Sequence, residues 1–167
     1  MNRPFHRIGT DGLIMIDSRL STSNAATSNA DYAALLLRVS LGLLFLAHGG
    51  MKIFTFTIPG TVQFFETIGY PGFFAYLVIL GEVGGGLALI LGAWTRVIAL
   101  ALLPIMIGAT LQHAGNGWMF AKTGGGWEFP AFWTVMLLVQ ALLGSGAYAV
   151  KLEKFLGVGG TRSTAQA

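Results

Sequence analysis

Long apolar runs alternate along this chain with short polar or glycine-rich breaks. Four of them, at 32–51, 72–92, 97–114 and 130–150, are each about as long as a bilayer-crossing helix, which needs ~20 mostly apolar residues. Helix is the reading because an open set of strands would leave backbone groups unpaired in lipid. The break at 92–96 is short enough to force its two runs to be antiparallel neighbours. The pattern predicts an all-α fold, an integral membrane up-down-up-down four-helix bundle. In the first long connection, Val62-Gln63-Phe64-Phe65-Glu66-Thr67-Ile68 puts its apolar residues on one helical side, as a short interfacial helix would. Residues 31–150 then form the transmembrane domain, flanked by tails at 1–30 and 151–167.

Charge orients the bundle. With four spans, both termini and the 92–96 turn share one side, which carries Arg3, Arg7, Arg19, Arg38, Arg96, Lys151, Lys154 and Arg162, against Lys52 and Lys122 on the other. Positive residues stay inside, so both termini are expected in the cytoplasm. Leu13–Ile16, between Asp11 and Asp17, is too short for the apolar region of a signal peptide. The first span is therefore expected to serve as an uncleaved anchor. Trp118, Trp127 and Trp133 gather near the outer boundary and Trp94 near the inner one, as in an aromatic belt. Gly124-Gly125-Gly126 gives Trp127 the alternative of folding inward to bind.

Composition confirms the class and narrows the chemistry. The chain is 54% hydrophobic and 10% charged, where a soluble domain has about 25% charged residues. Its net charge of +3 is a topological signal and gives no support for nucleic-acid binding. Cysteine is absent, which removes disulfides, thiolate nucleophiles, iron–sulfur clusters and zinc–thiolate sites. Redox chemistry would need a bound cofactor or a partner protein.

Against this background Glu82 stands out, a carboxylate in the middle of the second run. Such a group costs roughly 3 kcal/mol to insert and is a functional candidate by default. At 100° per residue, Gly85 and Gly86 lie about 60° and 40° to either side of it, so Glu82 belongs to a face that packs closely on protein. Gly81 and Gly85 add a small-xxx-small pair. In the first run Arg38, Gly42, Phe45, His48, Gly49 and Lys52 share one sector, with His48 about 80° and Lys52 about 40° from Arg38. Depth ranks the partners: Glu82 and Gln140 fall ~15 Å from the outer ends of their helices, His48 ~6 Å and Arg38 ~21 Å. Side chains tilt toward their helix N-terminus, which brings Glu82 and His48 together. The expectation is a buried, largely neutral Glu82 facing His48 and Gln140, with Arg38 third. Arg38 is otherwise a snorkelling residue and Lys52 an interfacial anchor. His48 and His113 lie at different depths and outside any metal-spacing motif, so no haem is expected.

The same residues carry a family resemblance. Arg38-x3-Gly42-x2-Phe45-x2-His48-Gly49-x2-Lys52, then Gly69-x-Pro71, then Glu82-x2-Gly85-Gly86-x5-Gly92-x2-Thr95-Arg96, resembles the DoxX family of small four-helix membrane proteins. Gly126-Trp127-Glu128 and Gly144-x-Gly146-x-Tyr148 fit the same pattern. The resemblance implies an inner-membrane protein of a group labelled oxidoreductases, with relatives among membrane subunits of thiosulfate:quinone oxidoreduction. Three functions stay open. One is a redox-associated subunit binding a quinone-like amphiphile near the outer leaflet, with Glu82 and His48 exchanging protons with its headgroup. The second is a non-catalytic scaffold or accessory subunit, partnered by another protein or a second copy. The third is a small-molecule or proton pathway. Lys52, Arg38, His113, Trp127, Glu128 and Gln140 are the candidate binding residues. No cofactor is encoded by a motif, and whether the protein is an enzyme is left undecided.

Overall fold

A computed structural model describes residues 27–150; the expected tails, apart from residues 27–30, lie outside them. Helix α1 (Asn29–Gly50) starts in a reciprocal cap: Ser28 Oγ accepts from the Asp31 N–H and the Asp31 carboxylate accepts from the Ser28 N–H, satisfying donors a helix start leaves free. It runs without a break into a π-helical turn, Met51–Thr55. Then follow α2 (Ile58–Thr67), α3 (Phe73–Leu91), α4 (Thr95–His113), a 3-10 turn (Ala114–Asn116) and α5 (Glu128–Leu143). Among the described residues there is no strand. Three helical segments, Asn29–Thr55, Phe73–Leu91 and Thr95–Asn116, are long and apolar enough to cross a membrane, and α5 is a shorter apolar helix.

Neighbouring long helices pack antiparallel. A Cβ placed on Gly42 would meet the Gly86 carbonyl at 2.7 Å, and one on Gly49 would meet Glu82 Cβ at 3.2 Å, so α1 descends as α3 rises. Gly81 and Gly85 receive Ile105 and Leu102 of α4; this small-xxx-small pair admits side chains, while the backbone-to-backbone approach runs through Gly42 and Gly86. Helix α5 closes the bundle, with Trp133 tilted against Phe45 of α1 at 4.7 Å. Leu41, Phe45, Leu89, Ala99, Leu102, Met106, Trp133 and Leu137 form the core between them.

The fourth run departs from expectation. Its helix stops at Leu143, because Gly144 takes φ +85° and the chain then turns through Gly146 at +65° and Tyr148 at +53°. Sixteen residues span about 24 Å, short of the ~30 Å hydrocarbon layer. Residues 144–150 instead lie across the helix ends, with Ala147 N–H donating to Asp31 O and Val150 N–H to Leu91 O. Arg38 completes this closure. Its Nη1 donates to the carbonyls of Leu89 and Ile90 and its Nη2 to that of Ala147. Arg38 is 1% exposed; its guanidinium serves the Ile90 carbonyl that the C-terminus of α3 leaves free and adds a second donor to that of Leu89, which also accepts from the Gly92 N–H. Arg38 therefore does not snorkel toward headgroups; it seals one end of the bundle. Gly92 permits the seal, since it holds φ +76° and a Cβ there would collide with Arg38 Nη1.

At the opposite end the chain turns from the π-helical segment into α2 through Thr57, whose φ of 62° and ψ of 154° are strained for a β-branched residue. Its hydroxyl caps α2 by accepting from the Gly60 N–H at 3.3 Å. Glycine at an N-cap gives up only a few tenths of a kcal/mol, while such backbone strain costs about 1–3 kcal/mol. Thr57→Gly should therefore raise the melting temperature in detergent. A drop would mean that the threonine side chain contributes more than its cap.

Candidate functional site

The site begins with Lys52, the side chain expected to be an interfacial anchor. Lys52 Nζ donates to Glu82 Oε1 at 2.8 Å, the one ion pair among the described residues. Helix α1 carries Lys52 there because it continues past Met51 into the π turn instead of ending. Three residues beyond Gly49, the lysine stays on the wall that packs against Glu82. Its side chain tilts back toward the N-terminus, and its four-carbon stem spans the remaining distance. Glu82 is 4% exposed, and its second oxygen, Oε2, is buried with no hydrogen-bond partner among the described residues.

The expected grouping of Glu82 with His48 and Gln140 is thus replaced. His48 Nδ1 pairs with the carbonyl of Leu44 in its own helix at 2.9 Å. Its ring meets Trp133 of α5 edge-on at 4.9 Å, as its angular offset from the Gly42–Gly49 seam dictates. Gln140 donates instead to Gly144 O at 2.7 Å, at the sealed end of the bundle. Arg38 lies at that end too, held by its three carbonyls. Between the ends the core is apolar, filled by Leu41, Phe45, Leu89, Leu102 and Leu137.

The remaining candidates gather in the loop between α4 and α5, and each is occupied in shaping it. His113 Nδ1 reaches the carbonyls of Gly124 and Gly125 at 3.1 and 3.2 Å. Glu128 accepts from the Phe120 N–H at 3.0 Å. Trp127 packs edge-on against Trp118 at 4.6 Å, and its backbone N–H donates to Gly117 O. Among the described residues no three His, Asp or Glu side chains come together as a metal ion would need.

Beside the ion pair a cavity of about 410 Å³ opens, lined by Lys52, Phe56, Gly60, Thr61, Phe64 and Phe65. That is within the ~300–1,000 Å³ typical of small-molecule sites. Lys52 ends one wall and α2 makes the other. Thr61 joins them: buried at 4% exposure, its hydroxyl donates to the carbonyls of Lys52 and Thr57, both at 3.0 Å. This serves the Lys52 carbonyl, which the π turn removes from ordinary helical pairing. Thr61 and the cavity's phenylalanines are functional candidates that the sequence reading missed. The available signal was the spacing Thr57-x3-Thr61 directly after the helix that carries Lys52.

Comparison with known proteins places this arrangement in a family. The DoxX family model matches residues 33–115, which contain Arg38, Lys52, Thr61 and Glu82. The chain is 34% identical over 129 residues to Inner membrane protein YqjF of Escherichia coli (strain K12), covering 72% of this chain and 90% of that one. It is 37% identical over 81 residues to the protein named Putative oxidoreductase CatD of Bacillus subtilis (strain 168), covering 48% of this chain and 59% of that one. No solved structure matches. With its apolar helices and these relatives, the chain is a membrane protein that belongs to the DoxX family.

Proposed function

We propose that this protein is an inner-membrane, redox-associated subunit that binds a quinone-like amphiphile in the cavity beside Lys52. The observation that carries the reading is the meeting of one hydrogen-bonding cation with three phenylalanines in a single cavity, at the end of an otherwise apolar bundle. A polar head fits the lysine, and a ring or tail fits the Phe56, Phe64 and Phe65 side. Glu82 holds the ammonium in place, and its free oxygen is the candidate proton acceptor in the role first given to the Glu82–His48 pair. The oxidoreductase name of one relative supports the redox setting. The strained Thr57 supports function at this end, since such residues cluster at binding sites.

The test is to purify the protein in mild detergent, extract its bound small molecules and identify them by mass spectrometry. One quinone-class molecule per chain is expected in wild type. Gly60→Leu should carry far less, because it fills the cavity while meeting only Thr57 Oγ1, at 3.4 Å from a new Cβ. Equal amounts in both proteins would reject the site.

The scaffold reading draws support from the sealed end, where the buried Arg38 is committed to backbone carbonyls. The apolar layer of Leu41, Phe45, Leu89, Leu102 and Leu137 supports neither a proton path nor a solute path through a single copy. In the proposed topology both termini face the cytoplasm and the cavity faces outward. Reporter fusions after Ala167 should then register inside and insertions at Thr123 outside. An external C-terminus would invert the leaflet assigned to the cavity.

A further inference from the structure

The cavity's chemistry points to a narrower class of ligand, an inference that rests on the amphiphile-site reading above. Among the described residues, Lys52 is the one charged side chain lining the cavity. Alone it would attract anions, and in a membrane the abundant anionic amphiphiles are fatty acids and acidic phospholipids. It is not alone, because Glu82 sits 2.8 Å away on the bundle side, with side chains 21% and 6% exposed. The pair carries no net charge, and an ammonium has three donors, of which Glu82 takes one. The cavity therefore meets an N–H donor backed by a buried carboxylate. A carbonyl oxygen can accept from that donor at no electrostatic cost. A carboxylate or phosphate in the same place would be drawn to the ammonium but would lie within a few ångströms of the Glu82 carboxylate, whose repulsion in a low-dielectric setting offsets much of that gain. Among the described residues no second cation lines the cavity to offset this. We infer that the Lys52–Glu82 pair is a charge filter: the cavity accepts an uncharged carbonyl-headed amphiphile, such as a quinone or long-chain ketone, and excludes anionic lipid, with Glu82 the specificity-determining residue.

The filter can be reversed by one substitution of nearly equal shape. Glu82→Gln keeps an oxygen for Lys52 and removes the negative charge, leaving a cation that faces the cavity. Binding of a short-tailed benzoquinone and of palmitate would be measured for wild type, Glu82→Gln and Gly60→Leu, by native mass spectrometry in a neutral detergent. Wild type should prefer the quinone by at least about tenfold. Glu82→Gln should shift the quinone-to-palmitate preference at least about tenfold toward palmitate. Equal affinity of wild type for both ligands, or an unshifted preference in Glu82→Gln, would overturn the filter. If Glu82→Gln does not fold, the wild-type ratio decides alone. A failure of the site itself has a different signature: neither ligand binds wild type better than it binds Gly60→Leu.

Discussion

Replacing Gly86 with leucine is expected to force α1 and α3 apart and to leave no monodisperse folded protein. A Cβ at Gly86 would stand 2.9 Å from the Gly42 carbonyl oxygen and 3.1 Å from the Leu46 nitrogen. Both are backbone atoms, so no rotamer change can relieve the clash. Overpacking of a well-packed core costs about 1–3 kcal/mol and occasionally more; a leucine against backbone belongs at or beyond the upper end. The same seam carries Gly49 against Glu82, so its opening would also separate Lys52 from the carboxylate. Gly84, two residues away on the same helix, has nothing within 4 Å of a new Cβ and provides the control. Gly84→Ala should be tolerated or gain about 0.5–1 kcal/mol from improved helix propensity. Size-exclusion profiles and melting curves in one detergent would compare the two. Comparable behaviour would mean that the Gly42–Gly86 approach does not hold the bundle.

Arg38→Leu is the second large effect. It removes donors to Leu89, Ile90 and Ala147; Leu89 keeps the Gly92 N–H, and the Ile90 and Ala147 carbonyls are left to find others. Each unsatisfied buried group costs about 1–3 kcal/mol, and the helix end recovers part of this by fraying. The expected loss is about 3–5 kcal/mol, the range for breaking buried charged interactions. Arg38→Lys should recover only part of it. A lysine can donate to several carbonyls but lacks the planar fork that serves α3 and residue 147 together. Melting temperature should therefore fall in the order wild type, Arg38→Lys, Arg38→Leu, and hydrogen exchange at 144–150 should rise in parallel. If Arg38→Leu melts like wild type, the closure does not depend on the guanidinium.

The all-helical architecture was legible because apolar runs of this length leave few alternatives, and the antiparallel order followed from one short turn. The face on which Glu82 lies was legible from Gly85 and Gly86, since glycines mark where another chain comes close. Its partner was not, for a reason specific to Lys52. The apolar run ends at Met51, and hydropathy gives no sign that the helix continues as a π turn and carries the lysine inward. Angular position held the missing information: Lys52 lies nearer the Gly42–Gly49 seam than His48 does, and depth was allowed to outweigh it. The end of α5 was misplaced because Ala147, Tyr148 and Ala149 are apolar enough to extend a helix. The positive φ angles of Gly144 and Gly146 stop it, and apolarity does not register them. Arg38 was read from its charge, but its role comes from geometry, since only the folded chain brings α3 and residue 147 within reach of one guanidinium.

Photoaffinity labelling tests the central claim, an amphiphile seated beside the Lys52–Glu82 pair, most directly. A quinone carrying a photoreactive group on its ring would be activated in membranes containing the protein, and the modified peptides sequenced by mass spectrometry. The account predicts labelling concentrated on residues 52–65, competed by unlabelled quinone and abolished by Gly60→Leu. Labelling spread over the lipid-facing surfaces of α3, α4 and α5, and indifferent to Gly60→Leu, would contradict it.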